Sequence, residues 1–468
     1  MQTAKTTFAL FFGNRGFFPA SLQAAARKEM AAALKALGHG TIVLDPRATR
    51  HGAVETPREG QVYAEFLRAN RGRFGGVVVC LPNFGDETGA IAALKDCGVP
   101  ILLQAYPDEL DKMGPASRRD AFCGKFSIMD VFYQNGLPFT ALAPHTAHPA
   151  GASFAENIAY FDRLCRAVAA VRNMVVGAIG ARTTPFKTVR IDELALQRHG
   201  ITMETYDLSG LFARMKAIKK ADKALAAKAG VLKKLSSWRG VPGAALENLA
   251  RLGVVLDAMV AEGGLDAVAI RCWTEMQTEL GISPCVVMGE MNERGIPASC
   301  EVDVGSAVTM RALAAASGGP AACLDWNNNY GEQDDRCILF HCGPVPMSMM
   351  AGPGRISEHC IIMNAVGPGR SYGCNTGRIR AMPMTFGNMM TEAGRLKFYL
   401  GQGRFTDEPI PGDFFGCAGV AQVPEMQKVL QTIGYLGHRH HVAVAPGHVA
   451  APVQEAMVKY LGCDVTMV

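Results

Sequence analysis

A chain of 468 residues is too long for one simple core, and 49% hydrophobic against 19% charged residues excludes a disordered protein. A formal net charge of only +5, with acids and bases interspersed, argues against nucleic acid or acidic lipid as a partner. No run approaches 18 uninterrupted apolar residues, and Phe8–Phe12 is too short for a signal core. The expectation is a cytoplasmic protein that does not span a membrane.

The first 150 residues alternate apolar runs with amphipathic stretches. Strands are expected at Phe8–Phe12, Thr41–Asp45, Gly76–Cys80 and Pro100–Gln104, with helices over about Ala20–Leu37 and Gln61–Asn70. Short Val/Ile/Leu-rich runs between helices mean a parallel sheet with both faces covered, whose carboxyl-edge loops line the binding crevice. Those loops hold Asn14 and Arg15, the Pro82–Asp86 segment with Phe84, and Gln104–Pro107. A helix over about Phe154–Arg172 leads to a second set: a strand from Met174 to Ile179, a helix at Ile191–Gln197, an extended segment at Ile201–Thr205 and a buried strand at Ala267–Trp273. The lysine-rich stretch from Arg214 to Lys234 reads as a solvated helix face. After about residue 335 glycine, proline and methionine rise, and Gly352–Arg355 is echoed by Gly367–Arg370 around the apolar run Cys360–Met363. Punctuated short strands of this kind indicate a β-barrel or sandwich, closed by a helix at Val453–Tyr460. The expected fold is therefore α/β: two doubly wound parallel-sheet domains, 1–172 (flavodoxin-like) and 173–345, then a β-rich, barrel-like domain, 346–468. The fourteen cysteines form no CxxC pair and sit mostly in apolar runs, as reduced core residues do.

Four segments carry groups suited to chemistry. Cys300-Glu-Val-Asp303 precedes a predicted helix, where acidic residues also serve as caps. Asp325 ends an apolar run before Trp326, and His341 ends another before a Gly-Pro turn. From His438 to His448 lie four of the eleven histidines. Adjacent His440 and His441 on a strand point to opposite faces, so only one is expected to face a given site. Two carboxylates and an imidazole with open positions suit a hard or borderline dication, Mn²⁺, Mg²⁺ or Co²⁺. Such an ion polarises a carbonyl that shares adjacent oxygens with a hydroxyl, while carboxylates move a proton between the carbons. HExxH, GxGxxG and Walker A patterns are absent from the sequence, which weakens protease, dehydrogenase and kinase readings.

On the motifs Cys-Glu-Val-Asp (300–303), Leu-Asp-Trp (324–326), Phe-His-Cys-Gly-Pro (340–344) and His-His-Val-Ala-Val (440–444), the sequence resembles the L-fucose/L-arabinose isomerase family over nearly its whole length. The segments Arg118–Lys125 and Gly180–Phe186 resemble blocks of its fucose-isomerase-like members. The resemblance implies an aldose–ketose isomerase with a divalent metal, Mn²⁺ first, held by Glu301, Asp325 and His441, with Glu301 and Asp325 as the proton-transfer pair. It implies that His341 contacts metal or substrate, and is taken here as a substrate contact. It also implies a trimer or hexamer whose active site receives a loop from a neighbouring subunit. Arg15 would then touch sugar in an adjacent chain, and Phe84 would stack on it. The chain is shorter than full-length L-fucose isomerases and has Asp325 where the arabinose branch has glutamate. A modified aldose such as a sulfosugar of sulfoquinovose type is the alternative substrate, with Arg15 and Lys125 as cationic groups. A non-catalytic sugar-binding protein is the alternative of another class.

Overall fold

In a computed structural model that describes residues 4–468, the N-terminal apolar runs are strands β1 (Phe8–Phe12), β2 (Thr41–Val43), β3 (Gly76–Leu81) and β4 (Ile101–Ala105). They run parallel in the order β2-β1-β3-β4. β1, β3 and β4 are buried at every residue, which is why they read as continuous apolar runs rather than alternating ones. The helix Ser21–Ala36 turns Ala26, Met30 and Leu34 inward, one per turn. The helix Pro57–Ala69 begins four residues before the apolar period suggests. Thr56 caps it by accepting the Glu59 amide at 3.2 Å, and the Glu59 carboxylate accepts the Glu55 amide at 2.8 Å. Residues 4–169 form one compact unit and 170–468 a second.

The second unit opens with another parallel sheet. Its strands are β5 (Val175–Ile179), β6 (Thr202–Tyr206), β8 (Ala267–Ile270) and β9 (Ala298–Cys300), in the order β6-β5-β8-β9, with a two-residue strand β7 (Ser236–Ser237) lying elsewhere. The lysine-rich stretch departs from its expected solvated face at one position. The helix Lys223–Leu235 buries Leu225, Lys228 and Leu232 on one side, so Lys228 is carried inward, where its ammonium lies 2.7 Å from Asp257 and 3.2 Å from Glu290.

The remaining strands are β10 (Ala322–Asn329), β11 (Arg336–His341), β12 (Gly354–Glu358), β13 (Tyr372–Arg378), β14 (Met382–Glu392), β15 (Arg395–Phe405), β16 (Cys417–Gln422), β17 (His441–Pro446) and β18 (Asp464–Met467). With β7 they make one large mixed sheet, ordered β18-β15-β14-β17-β10-β11-β16-β13-β12-β7, and β15 also pairs with β16 through Arg404–Gln422 and Phe405–Ala421. The run Cys360–Met363 is not a strand. It belongs to a helix, Cys360–Val366, whose first turn is capped by the His359 ring accepting the Ile362 amide at 3.4 Å. The last helix starts at Ala450, three residues before the expected Val453. All fourteen cysteines are thiols, and all but Cys97, Cys123 and Cys360 are buried. Among the described residues no helix is long and apolar enough to cross a membrane.

Candidate metal centre

β9 brings the chain to the carboxyl edge of its parallel sheet, where Glu301 and Val302 follow with φ of +57° and +60°. Left-handed backbone costs about 1–3 kcal/mol at a non-glycine residue and is rarest for a β-branched one. The surroundings impose it. The Val302 amide donates to the Ile270 carbonyl at 3.3 Å and the Asp303 amide to Cys300 at 2.9 Å. Asp303 then caps the helix Val304–Ser317, accepting the Ser306 amide at 3.0 Å and its hydroxyl at 2.7 Å. Gly305 lets that first turn lie against β14, since a Cβ there would fall 2.2 Å from the Met389 carbonyl oxygen.

Sheet register supplies the other acid and its histidine. β10 and β17 are antiparallel with Asp325 directly opposite His441, and β10 and β11 place Asp325 opposite Phe340, next to His341. His441 Nε2 lies 3.1 Å from Glu301 Oε2 and 3.5 Å from Asp325 Oδ1, and His341 Nε2 lies 3.8 Å from Glu301 Oε2. The structure thus brings Glu301, Asp325, His341 and His441 together, as the sequence suggested. His440 joins them, with Nε2 3.7 Å from Asp325 Oδ1. The alternation expected of a strand does not separate the two histidines, because β17 begins only at His441.

The two buried imidazoles are held in different tautomers. His441 Nδ1 lies 2.7 Å from Asp303 Oδ2, so its Nδ1–H donates and its Nε2 lone pair faces Glu301 and Asp325. His341 Nδ1 accepts the Cys342 backbone amide at 2.9 Å, so the neutral ring carries its proton on Nε2, aimed into the site. The first arrangement is that of a metal ligand oriented by a carboxylate, and the second that of a hydrogen-bond donor. Asp303 is itself fully buried and also bonded by Arg439.

Electrostatics favour added positive charge here. Burial raises the Glu301 carboxyl, but the His341 and His441 rings beside it outweigh that and hold Glu301 well below the ordinary range. Burial likewise raises Asp303, and Arg439, His441 and Ser306 bring it down. Burial lowers both imidazoles. Cys323, Asp303 and Glu301 more than reverse that for His441, and Cys342, Asp325 and Glu301 do so for His341, leaving both well above the ordinary value. Three carboxylates thus meet one guanidinium. The missing positive charge is supplied either by protonating imidazoles or by a dication.

The donor set fits such an ion. Glu301 Oε2, Asp325 Oδ1 and His341 Nε2 are buried atoms with no hydrogen-bond partner; the two oxygens face His441 Nε2, and His341 Nε2 faces Glu301 Oε2. Ligand atoms of Glu301, His341 and His441 lie within 4.8 Å of one another, as do those of Asp325, His440 and His441. Separations of 3.1 and 3.5 Å between His441 Nε2 and the two carboxylates are near the ~3 Å edge of an octahedron with ~2.1 Å bonds.

Around these groups, the Trp273 indole N–H donates to Glu301 Oε1 at 3.1 Å, fixing which oxygen faces the histidines. The Phe186 ring lies 5.4 Å from His440 and 5.6 Å from His441, centroid to centroid. A cavity of about 220 Å³ opens on Glu301, Trp273, Ser283, Cys342 and His359. Larger cavities, of about 470 Å³ beside Arg68 and Phe74 and about 790 Å³ beside Arg404 and His448, contain no such convergence of acids and histidines.

Arg15 and Phe84 meet each other in the N-terminal unit. The guanidinium lies 4.1 Å from the Phe84 ring centroid, donates to the Gly85 carbonyl at 2.9 Å and pairs with Glu87. The close approach of Gly124, whose Cβ would fall 2.1 Å from the Phe84 carbonyl oxygen, seats this loop against the helix Ala121–Gln134. Lys125 does not line a crevice. It is buried, its ammonium donating to the His145 carbonyl at 2.7 Å. Four groups escaped the sequence reading: Asp303 beyond its cap, Arg439, Trp273 and Phe186. Asp303, Arg439 and Phe186 each lie in a segment singled out above (300–303, 438–448 and 180–186), and Trp273 had no such signal.

Known proteins bear on this geometry. The family profile described as fucose/sulfoquinovose isomerase, N-terminal domain, matches residues 9–172, and that described as L-fucose isomerase, C-terminal domain, matches 339–468. The chain is 24% identical over 267 residues to a sulfoquinovose isomerase of Alkalicoccus urumqiensis, covering 57% of this chain and 59% of that relative. It is 21% identical over 368 residues to one from Priestia aryabhattai, covering 78% and 79%, and 23% identical over 281 residues to one from Clostridium sp. (strain MSTE9), covering 60% and 61%. Matched at both ends by the family's own domains, the chain belongs to the fucose isomerase-like family of isomerases.

Proposed function

We propose that this protein is a divalent-metal-dependent aldose–ketose isomerase that moves a proton between C1 and C2 of an open-chain sugar through an enediol. The observation that carries the reading is the convergence of two unpartnered buried carboxylate oxygens, Glu301 Oε2 and Asp325 Oδ1, on the lone pair of His441, with the unpartnered His341 Nε2 beside Glu301 Oε2. Glu301, Asp325 and His441 would hold the ion, Mn²⁺ first with Mg²⁺ and Co²⁺ as the other choices, and when bound it supplies Lewis acidity toward two adjacent sugar oxygens.

The residues do the rest. Asp303 keeps the proton on His441 Nδ1. Glu301, kept ionised by its neighbours, takes the C2 proton as the C2–H electron pair becomes the C1–C2 double bond and the carbonyl oxygen O1 gains a proton. Asp325 passes the O2 proton to O1, which is the source of the proton gained there, and Glu301 returns its own proton to C1, leaving the carbonyl at C2. His341 Nε2–H donates to a sugar oxygen, and Trp273 and Phe186 wall the site from water. The cavity of about 220 Å³ is below the ~300–1,000 Å³ of drug-sized ligands and suits a monosaccharide.

The names of the relatives favour a sulfosugar of sulfoquinovose type over fucose or arabinose as substrate. The remainder of the reading is a cytoplasmic homo-oligomer, trimer or hexamer, in which Arg15 and Phe84 reach the sugar in a neighbouring chain. The three-domain division at 172 and 345 belongs to it too, as does a barrel-like closure of the C-terminal sheet. The Arg404–Gln422 and Phe405–Ala421 pairing supports that closure. The test is isomerisation of sulfoquinovose in D₂O with added Mn²⁺, followed by NMR. Deuterium should enter the transferred position, EDTA should abolish turnover, and Glu301→Gln should lower kcat by 10³-fold or more, the order expected for loss of an acid–base group. Turnover surviving exhaustive chelation, or a fully active Glu301→Gln, would sink the reading.

A further inference from the structure

Behind His341, on the side away from Glu301, lies a second set of donors of opposite chemical character. Cys342 Sγ is 3.3 Å from Cys285 Sγ and 3.2 Å from His341 Nδ1. Cys300 Sγ is 3.9 Å from the same nitrogen. The donor atoms of Cys300, His341 and Cys342 all lie within 4.8 Å of one another. For a tetrahedral ion with ~2.3 Å bonds to sulfur and ~2.1 Å to nitrogen, neighbouring ligand atoms sit about 3.5–3.8 Å apart. The 3.2 and 3.9 Å separations of Cys342 and Cys300 from His341 Nδ1 bracket that range. These donors are buried, yet they are not sealed, because Cys285 and Cys342 line the cavity that also reaches Glu301.

We propose that Cys300 and Cys342, with His341 Nδ1, form a binding site for a thiophilic d¹⁰ cation such as Zn²⁺, with the Cys285 thiol beside Cys342 at its edge. The site is distinct from the carboxylate–imidazole centre and shares only the His341 ring with its surroundings. Sulfur donors select soft ions, whereas Glu301 and Asp325 select hard ones, so the two sets sort cations by type. Each thiol that binds releases its proton to solvent, and the cation takes the Nδ1 lone pair now used by the Cys342 amide. Occupancy leaves the His341 Nε2–H in place but makes it a stronger, more acidic donor, so zinc alters turnover in the isomerase reading given above without displacing the catalytic metal.

The test uses Cd²⁺ on the full-length protein in a Cys97→Ser/Cys123→Ser/Cys360→Ser background, which leaves only buried thiols. Thiolate-to-cadmium charge-transfer absorbance should saturate near one equivalent, Cys342→Ser should weaken binding at least tenfold, and Glu301→Gln should leave the band intact. No band, or an unchanged affinity in Cys342→Ser, overturns the site. Should Cys342→Ser fail to fold, cadmium NMR of the parent decides: a sulfur-rich shift supports the site, and an oxygen- and nitrogen-type shift overturns it. Because this signal does not depend on turnover, an inactive assay would count against the isomerase reading and leave the thiol site standing.

Discussion

Asp303→Asn separates the orienting role of Asp303 from its role as a helix cap. Asparagine caps about as well as aspartate, so the helix Val304–Ser317 should survive the change. The amide can place its oxygen toward only one side. Oδ1 now accepts from Arg439 and from the Ser306 amide, both obligate donors, so the oxygen stays there and the NH₂ group replaces Oδ2 beside His441. That NH₂ donates to His441 Nδ1, which forces the ring proton onto Nε2 and removes the lone pair facing Glu301 and Asp325. Loss of the orienting carboxylate should weaken metal binding by about 10–100-fold, or ~1.4–2.7 kcal/mol. The substitution also leaves Arg439 buried without a counter-charge, and breaking a buried pair costs about 3–5 kcal/mol of stability. Mn²⁺ affinity is read by paramagnetic resonance of the free ion and stability by urea unfolding of the metal-free protein. Arg439→Met in the same background should recover most of the stability and none of the affinity. Asp303→Asn with the parental Mn²⁺ affinity would refute the tautomer argument, whatever happened to stability.

The strained turn gives a second expectation. In Val302→Gly, about 1–2 kcal/mol of relieved left-handed strain is offset by ~1.5 kcal/mol of lost side-chain burial, so the thermal midpoint should move little while kcat falls. A variant that keeps full turnover would mean that Glu301 does not depend on the turn for its aim. Lys125 gives a pH dependence, since burial pushes its ammonium down from 10.5 to about 8. Below pH 8 both the folded and unfolded chains are protonated and the cost of burying the charge is fully present. Between 8 and about 10.5 the unfolded state holds more protons, so stability rises with pH. Lys125→Met, less the bond to the His145 carbonyl, should therefore stabilise by about 1–2 kcal/mol at pH 7 and lose that advantage by pH 10.5, as read from urea midpoints across the range.

What could be seen in advance follows from where the determining contacts lie. Strands β1, β3 and β4 were legible because full burial forces apolar residues at every position. The start of the helix at Pro57 was written in Thr56 and Glu59, a local capping pattern that the apolar period alone overlooks. Cys360–Val366 has the composition of a strand, and its helix is decided by a cap from His359 and a setting among glycine–proline turns. Lys228 looked solvated because its partners, Asp257 and Glu290, lie on other helices. In the site, Glu301, Asp325, His341 and His441 were legible as residue types and motifs. The bond that orients His441 joins Asp303 to a residue 138 positions away, and no local pattern in the sequence encodes it.

The same contrast explains why two histidines of equal burial do unequal work. A buried imidazole offers one lone pair and one N–H when neutral, and its second nitrogen is committed by whatever the first one meets. His441 meets a carboxylate that must accept, so it is left with a lone pair toward the acids. His341 meets a backbone amide that must donate, so it is left with a proton toward them. One ring is thereby suited to hold a cation and the other to hold an oxygen that carries negative charge as the carbonyl is polarised. The assignment rests on two hydrogen bonds outside the site rather than on distances within it. It also explains why three acids, two on the turn after β9 and one opposite His441, suffice to build the centre. Two of them face the reaction, and the third decides which nitrogen of His441 they see.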